Sequence, residues 1–363
     1  MSRRMVPAGS NRAGPQQASA VPRVFFVHDI GATFVQKDLA LLRTFCEVTP
    51  LLFRGPRDYF RLVKGLLRCD IVYCWFALDF AAVAVVLAKF TGRGSIVASG
   101  GWDVARFKEI GYGRLLRRRG RIAARIACSI ADLVLAFSDW SAERVREVAP
   151  TSRVRRAYLG VDLDTFWPGP KEDLVLCVAN INRENIERKG LRTFVRAASS
   201  VPEAKFLLIG RWWDEAADEL RDIAPSNVTL TGWLAPGDLR EVFSRAKVYC
   251  QASYTEGFGL AVAEAMASGC VPVVCRTGAL PEVVGETGLY VPYGDESSLA
   301  IAIREALRSP HGSEARDRVR RFFPEEGRRE ELRVAIEDVR RNRTRAAASF
   351  APTGPAAVHR VKR

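Results

Sequence analysis

The sequence predicts an α/β protein of two doubly wound, Rossmann-like domains facing each other across a cleft. Three observations lead to this. The chain has 363 residues, too many for one ordinary core and suited to two domains of roughly 150–170 residues each. Short apolar runs alternate with amphipathic stretches through both halves, the pattern of a mostly parallel sheet covered on both faces. Between the halves, Phe166–Asp173 (FWPGPKED) holds two prolines, a glycine and a charge cluster, and reads as a linker.

In the first half, strands are predicted at Arg23–His28, Thr49–Phe53, Asp70–Trp75, Ser95–Ser99 and Asp132–Ser138. Helical spacing covers Gln36–Phe45, Asp58–Arg68, Asp79–Phe90, one long helix at Gly113–Ala131, and a stretch beginning at Ser141. In the second half, strands are predicted at Leu174–Ala179, Lys205–Ile209, Val228–Thr231, Val248–Gln251 and Val271–Cys275. Helices are predicted at Leu191–Ser199, Leu239–Arg245, Leu260–Ser268 (closed by Gly269) and Phe323–Arg341. The expected organisation is a basic tail over 1–22, domains over 23–167 and 168–322, a closing helix over 323–341, and a disordered tail over 342–363.

Composition narrows the function. Net charge is +14 and unevenly placed: residues 1–168 carry 26 Lys/Arg against 14 Asp/Glu, the remainder 29 against 27. An anionic partner is therefore expected to meet the first half. Ile71–Ala88, the most apolar stretch, is interrupted by Asp79 and reads as core rather than as a membrane span. The first 22 residues lack an apolar export segment, so a cytoplasmic location is expected. The eight cysteines form no C-x-x-C pair and read as reduced core residues. His28, His311 and His359 are too few for a His-rich zinc site, and no metal is expected.

The chemistry concentrates in Tyr254–Val274. A strand ending near Gln251 gives way to the loop SYTEGFG and then a helix. Gly257 and Gly259 allow close backbone approach, and a helix start offers unpaired N–H groups to an anion such as diphosphate. Glu256 precedes this helix. Glu264 stands two turns inside it among Ala261, Val262, Ala263, Ala265, Met266 and Ala267. A carboxylate in such company needs hydrogen-bond donors, and adjacent sugar hydroxyls are suitable. A solvated glutamate on an exposed helix face is the other reading.

The stretch EGFGLAVAEAMASGCVPVV resembles the E-x7-E region of family 4 retaining glycosyltransferases, which share the GT-B fold. Asn227–Gly232 (NVTLTG), Gly278–Val284 (GALPEVV) and Gly288–Pro292 extend the resemblance, so that it covers about residues 174–300. The resemblance implies that Glu264 binds ribose hydroxyls of a nucleotide-diphosphate sugar, and that Glu256 faces the transferred sugar. The backbone at Phe258, Gly259 and Leu260 would meet sugar and diphosphate. It also implies an arginine and a lysine on the diphosphate from the loop Asn180–Gly190. Lys189 fits the lysine; Arg183 fits the arginine, with Arg188 as rival. Fixed cations there stabilise charge gathering on the leaving group. Trp233 is read either as a wall of the base pocket or as core. Transfer is expected to proceed by front-face attack with no divalent metal and no cofactor beyond the donor.

The first half diverges more, as suits the acceptor side. Gly31, in the loop after the first strand, is a position for close diphosphate approach. Asp103, after Ser99-Gly100-Gly101-Trp102, is read as a contact to sugar or acceptor hydroxyl, or as a helix cap. His28 is read as a site residue or a satisfied strand-end histidine. Gly113–Ala131 holds Arg114, Arg117, Arg118, Arg119, Arg121 and Arg125 beside Leu115, Leu116, Ile122 and Ile126, a pattern suited to anionic lipid. Peripheral contact with a membrane and a lipid-linked or other hydroxyl acceptor are thus expected. A nucleic-acid partner is not, since no aromatic residues interleave the arginines. The competing reading is a non-catalytic membrane- or polyanion-binding protein on a GT-B scaffold; a GT-B phosphorylase is a third, but no cofactor lysine has the required setting.

Overall fold

The structure is a computed structural model and describes residues 21–349, with side chains through residue 345. The first domain runs β1 (Arg23–His28), α1 (Thr33–Arg43), β2 (Glu47–Leu52), α2 (Asp58–Leu66), β3 (Ile71–Trp75), α3 (Asp79–Phe90) and β4 (Gly94–Ser99). It continues through α4 (Arg118–Ile130), β5 (Leu133–Ala136), α5 (Asp139–Val148) and β6 (Val154–Arg156). All pairings are parallel, in the order β2-β1-β3-β4-β5-β6. β3 (IVYCW) is buried along its whole length, which is why it reads as a continuous apolar run rather than an alternating one.

Alternation along the strands separates the two faces of this sheet. Phe26, Tyr73 and Ala98 point to the face covered by α1 and by the last helix of the chain. Phe25, Cys74 and Val97 point to the face covered by α2, α3 and α4. α1 buries Val35, Asp38, Leu39 and Leu42, a single stripe at helical spacing.

The second domain repeats the plan. It comprises β7 (Glu172–Val178), α6 (Arg183–Arg188), α7 (Leu191–Ala197), β8 (Lys205–Ile209), α8 (Ala216–Asp222), β9 (Val228–Gly232) and α9 (Pro236–Arg245). Then come β10 (Ala246–Gln251), α10 (Leu260–Ala267), β11 (Val271–Cys275), α11 (Leu280–Val284), β12 (Leu289–Val291), α12 (Glu296–Arg308) and α13 (Gly312–Phe322). Its sheet, β12-β11-β10-β7-β8-β9, is also parallel throughout. In both sheets the loops leaving the strands' carboxyl ends are where a doubly wound fold presents its ligands.

α14 (Glu325–Ser349) returns to the first domain. Arg328, almost fully buried, binds Asp38 of α1 through both carboxylate oxygens at 2.9 and 2.6 Å and donates to the carbonyl of Ala157. Asp338 accepts from Arg153 and Arg155.

Several expectations need correction. The closing helix does not end at Arg341 but runs to Ser349; the tails over 1–20 and 350–363 lie outside the described residues. Gly113–Ala131 is not one helix. A 3-10 turn at Arg114–Leu116 precedes α4, and extended backbone at Arg117 separates them. Leu115 is buried, and α4 packs inward through Gly120, Ala123, Ala124, Ala127 and Cys128. Arg114 is drawn in against Asp79, while Arg117, Arg118, Arg119, Arg121 and Arg125 stay outward, and Ile122 is the one large apolar side chain of α4 that is exposed with them. Leu115 faces inward because small residues let the helix lie close against α3, drawing the preceding turn into the core. All eight cysteines are buried and free. Among the described residues, no helix is long and apolar enough to cross a membrane.

Candidate active site

Two loops of the second domain meet at Glu256. The first follows β7: Asn182 caps α6 by accepting from the backbone N–H of Asn185, and α6 ends at Arg188 with Lys189 as its C-terminal cap. Gly190 then adopts φ +60°, and a Cβ there would lie 2.1 Å from the Ala252 carbonyl oxygen. Only glycine lets the Lys189 loop press this closely on the loop after β10. Tyr254 N–H donating to the Arg188 carbonyl at 2.8 Å ties the same two loops.

Lys189 Nζ donates to Glu256 Oε1 at 2.5 Å. Ser253 Oγ donates to the same oxygen at 2.8 Å, and Gln251 Nε2 lies 3.3 Å away. Arg188 stands 3.7 Å from Oε1, is held by Asn185 Oδ1, and lies over the Tyr112 ring of the first domain. Burial pushes the Glu256 carboxyl up, but Lys189 and Arg188 outweigh it and hold the group below its ordinary value. Burial pushes Lys189 down, and Glu256 opposes that. The result is a buried, charged cluster with two cations against one carboxylate.

Glu264, eight residues on, is mostly buried on α10. It meets Lys37 Nζ of α1 at 3.3 Å across the cleft. Burial raises its pKa, and Lys37 opposes the rise. The exposed-face reading of Glu264 therefore gives way to an interdomain one.

The domains touch at the glycine loop. Ser138 and Ser141 hydroxyls donate to the Gly257 carbonyl at 2.8 and 3.0 Å. A Cβ at Gly257 would lie 1.7 Å from the Gly100 carbonyl oxygen. Glu282 accepts from the N–H groups of Asp139 and Trp140, where α5 begins. Gly257 thus meets the first domain's backbone, which the sequence reading assigned to a ligand. Gly259 has φ +94° at the start of α10, and the first-turn N–H groups beyond it lack intrahelical carbonyl partners.

Other expected residues fall differently. Asp103 is corrected from a sugar contact: it is fully buried, and its carboxylate accepts from the N–H groups of Ala77, Gly100 and Gly101 at 2.9–3.1 Å. With those oxygens engaged it fixes the loop that Gly257 meets. Arg183 is exposed at the far end of α6 from Lys189, with its N–H on Asp214, so Arg188 is the arginine that accompanies Lys189 at Glu256. The Phe258 ring belongs to the core against Tyr158 and Phe323, which leaves its backbone for a ligand. Leu260 is half-buried. Gly31 is exposed, with open space where a Cβ would stand. Trp233 is 57% exposed with Arg211 over its face, so it is not core. His28 Nδ1 pairs with the Ile30 carbonyl at 2.7 Å, the satisfied strand-end arrangement.

Residues that sequence reasoning missed are Ser253, Gln251, Lys37, and Phe107 and Tyr112, which bridge antiparallel in the first domain and meet Tyr254 and Arg188 of the second. Ser253 and Gln251 adjoin the motif and could have been flagged as donors to a buried carboxylate. Lys37 carries no local signal, because its partner is 227 residues away.

Two Rossmann-like domains closing over such a loop define a GT-B glycosyltransferase fold. Sucrose-phosphate synthase from Thermosynechococcus elongatus superposes with a TM-score of 0.72 over 88% of this chain and 99% of that one, at 19% identity. Residues 172–309 match the family described as Glycosyl transferases group 1. D-inositol 3-phosphate glycosyltransferase of Mycobacteroides abscessus is 32% identical over 181 residues, 44% of this chain and 40% of that protein. GDP-mannose-dependent alpha-(1-6)-phosphatidylinositol monomannoside mannosyltransferase of Mycolicibacterium smegmatis is 25% identical over 298 residues, 74% of this chain and 75% of that protein. The chain thus matches under half the length of the inositol-phosphate enzyme and three quarters of the mannosyltransferase.

Proposed function

We propose that this chain is a retaining glycosyltransferase that moves a sugar from a nucleotide-diphosphate donor to a hydroxyl acceptor. The observation that carries this reading is the buried Glu256–Lys189–Arg188 cluster set eight residues before Glu264, at the seam between the domains. Glu264 receives the ribose hydroxyls, displacing Lys37. The diphosphate lies along the start of α10, where free N–H groups and the Arg188 and Lys189 cations stabilise the charge that grows on it as the sugar leaves. Glu256 is kept ionised and accepts from sugar hydroxyls. In front-face transfer the acceptor oxygen enters beside the departing diphosphate, which takes its proton. The bond to the anomeric carbon is therefore remade on the face where it broke.

The first domain supplies the acceptor side, and its basic excess suits an acceptor or a surface bearing phosphate. The mannosyltransferase named above acts on a phosphatidylinositol mannoside, which favours a lipid-linked acceptor here and a site of action at a membrane face. The test is a thermal-shift screen of nucleotide sugars in chelator, followed by transfer assays and determination of the product anomer. The true donor raises Tm, and Glu264→Ala lowers kcat/KM at least about 100-fold. Unchanged turnover in both Glu264→Ala and Lys189→Ala, or an inverted product, would sink the proposal.

A further inference from the structure

We propose that α2 is a membrane-docking helix that seats the first domain on an anionic lipid surface. α2 buries Asp58, Leu62 and Leu66 against the sheet, so its inner side is fully accounted for. Its outer side is not polar. Phe60 is 89% exposed, Leu67 55% and Val63 42%. With about 3.6 residues per turn, these three fall within an arc of about 60°. Arg57, Arg61, Lys64 and Arg68, all exposed, fall on a second arc of similar width beside it. A helix of one buried, one apolar and one basic stripe has more apolar surface than its own fold can cover.

The neighbouring elements extend the pattern. Arg93, just after α3, donates to the Leu67 carbonyl and draws the ends of α2 and α3 together. Phe90 at that end of α3 is 85% exposed beside exposed Lys89. α4, on the other side of α3, adds exposed Arg118, Arg121, Ile122 and Arg125. This layer covers the sheet face opposite to α1 and α14, so neither the second domain nor the closing helix lies over it.

Charge selects the occupant. Between residues 54 and 93 the acidic residues are Asp58, Asp70 and Asp79; none is exposed, and each is ion-paired within the chain. Exposed Arg54, Arg57, Arg61, Lys64, Arg68 and Lys89 therefore meet no exposed carboxylate within that segment, and the single exposed carboxylate across the groove beside α2, Glu47 of β2, leaves a large basic excess. The basic stripe also borders that groove, between α2 and the edge strand β2, where Arg61, Lys64 and Arg68 face Glu47, Thr49 and Pro50. Exposed aromatic and aliphatic side chains alongside an excess of exposed cations match the boundary between lipid phosphates and acyl chains. A soluble protein partner would have to supply both a long acidic ridge and an apolar one at the same spacing.

Vesicle binding needs no donor, so it is judged separately from sugar transfer. The full chain is sedimented with phosphatidylcholine vesicles, with and without phosphatidylglycerol, over a range of salt. Wild type is expected to sediment with the anionic vesicles and to be released by salt. Lys64→Glu with Arg68→Glu weakens binding by about fivefold or more per residue. Phe60→Ser with Leu67→Ser weakens it about tenfold and leaves the salt dependence in place. These side chains are exposed, so both variants keep the wild-type Tm. Absent sedimentation of the wild type, equal sedimentation of all three proteins, or preference for neutral vesicles overturns the proposal. So does a dimer that is lost in the Phe60→Ser, Leu67→Ser variant while no vesicles are bound, which gives the face to a second copy.

Discussion

Gly257→Ala separates closure of the domains from recognition of the donor. The added Cβ would lie 1.7 Å from the Gly100 carbonyl oxygen, against a floor of 3.0 Å for such contacts, so the loops must part by at least the difference, 1.3 Å. The Ser138 and Ser141 hydroxyls reach the Gly257 carbonyl at 2.8 and 3.0 Å, and a retreat of that size takes both beyond hydrogen-bonding range. Two such bonds are worth about 2 kcal/mol together, roughly a 30-fold loss in the closed population. A misplacement of about 1 Å at a reacting centre costs on the order of 100-fold in rate, so kcat should fall between these limits. Glu264 and Lys189 belong to the second domain and do not move with the first, so donor affinity by calorimetry should stay at the wild-type value. A wild-type kcat would refute the role of closure. Equal losses of kcat and donor affinity would refute the separation of the two.

Two further outcomes follow from the same geometry. The depressed Glu256 pKa means that this carboxylate contributes stability fully above its ordinary value near 4.5, and the contribution is lost only as pH falls through the depressed value. Lys189→Met removes the largest cause that lowers that pKa and so raises it, and Tm and activity should both fall at higher pH than in wild type; superimposable acid limbs would count against the pairing. Asp38→Ala strands Arg328 in the core without its counter-charge and should cost about 3–5 kcal/mol in denaturant unfolding, with Asp38→Asn milder because it still accepts hydrogen bonds. A loss under about 1 kcal/mol in the alanine variant would show that water reaches Arg328.

The sequence made the second domain's chemistry legible because its determinants are local. Glu256, Gly257, Gly259 and Glu264 lie within nine consecutive positions, and Lys189 precedes a glycine that its loop requires. The alternation of apolar runs likewise disclosed five strands of each sheet, β3 and β11 being buried along their whole length, and left out the short edge strands β6 and β12, each three residues long. What stayed hidden depends on the other domain. Asp103 reads as a cleft residue from its place after a strand, yet three backbone N–H groups converge on it only once the Ala77 and Gly100 loops are folded. Gly113–Ala131 reads as one amphipathic helix because a break at Arg117 leaves no proline or glycine at that position. The exposed stripe on α2 was missed for the opposite reason: a helix with apolar residues on two sides gives no sign of which side is buried.

Lys37 and Asp38 show how the two halves are joined. They are consecutive on α1, so their side chains point about 100° apart. Lys37 crosses the cleft to Glu264 on α10, and Asp38 holds Arg328 on α14. α14 in turn begins just after Phe323, whose ring packs 5.5 Å from that of Phe258 in the glycine loop. A circuit therefore runs from the donor loop through Phe323 and α14 to α1, and back to the donor helix through Lys37. Its two ion pairs differ in kind. Asp38–Arg328 is buried and bidentate, and breaking it strands a charge, so it acts as a fixed hinge post. Lys37–Glu264 is a single contact at 3.3 Å with partial access to solvent, which a ribose can replace without leaving Glu264 unsatisfied. On the proposed function, donor binding would exchange the weaker link and leave the stronger one intact, so that α14 stays docked on α1.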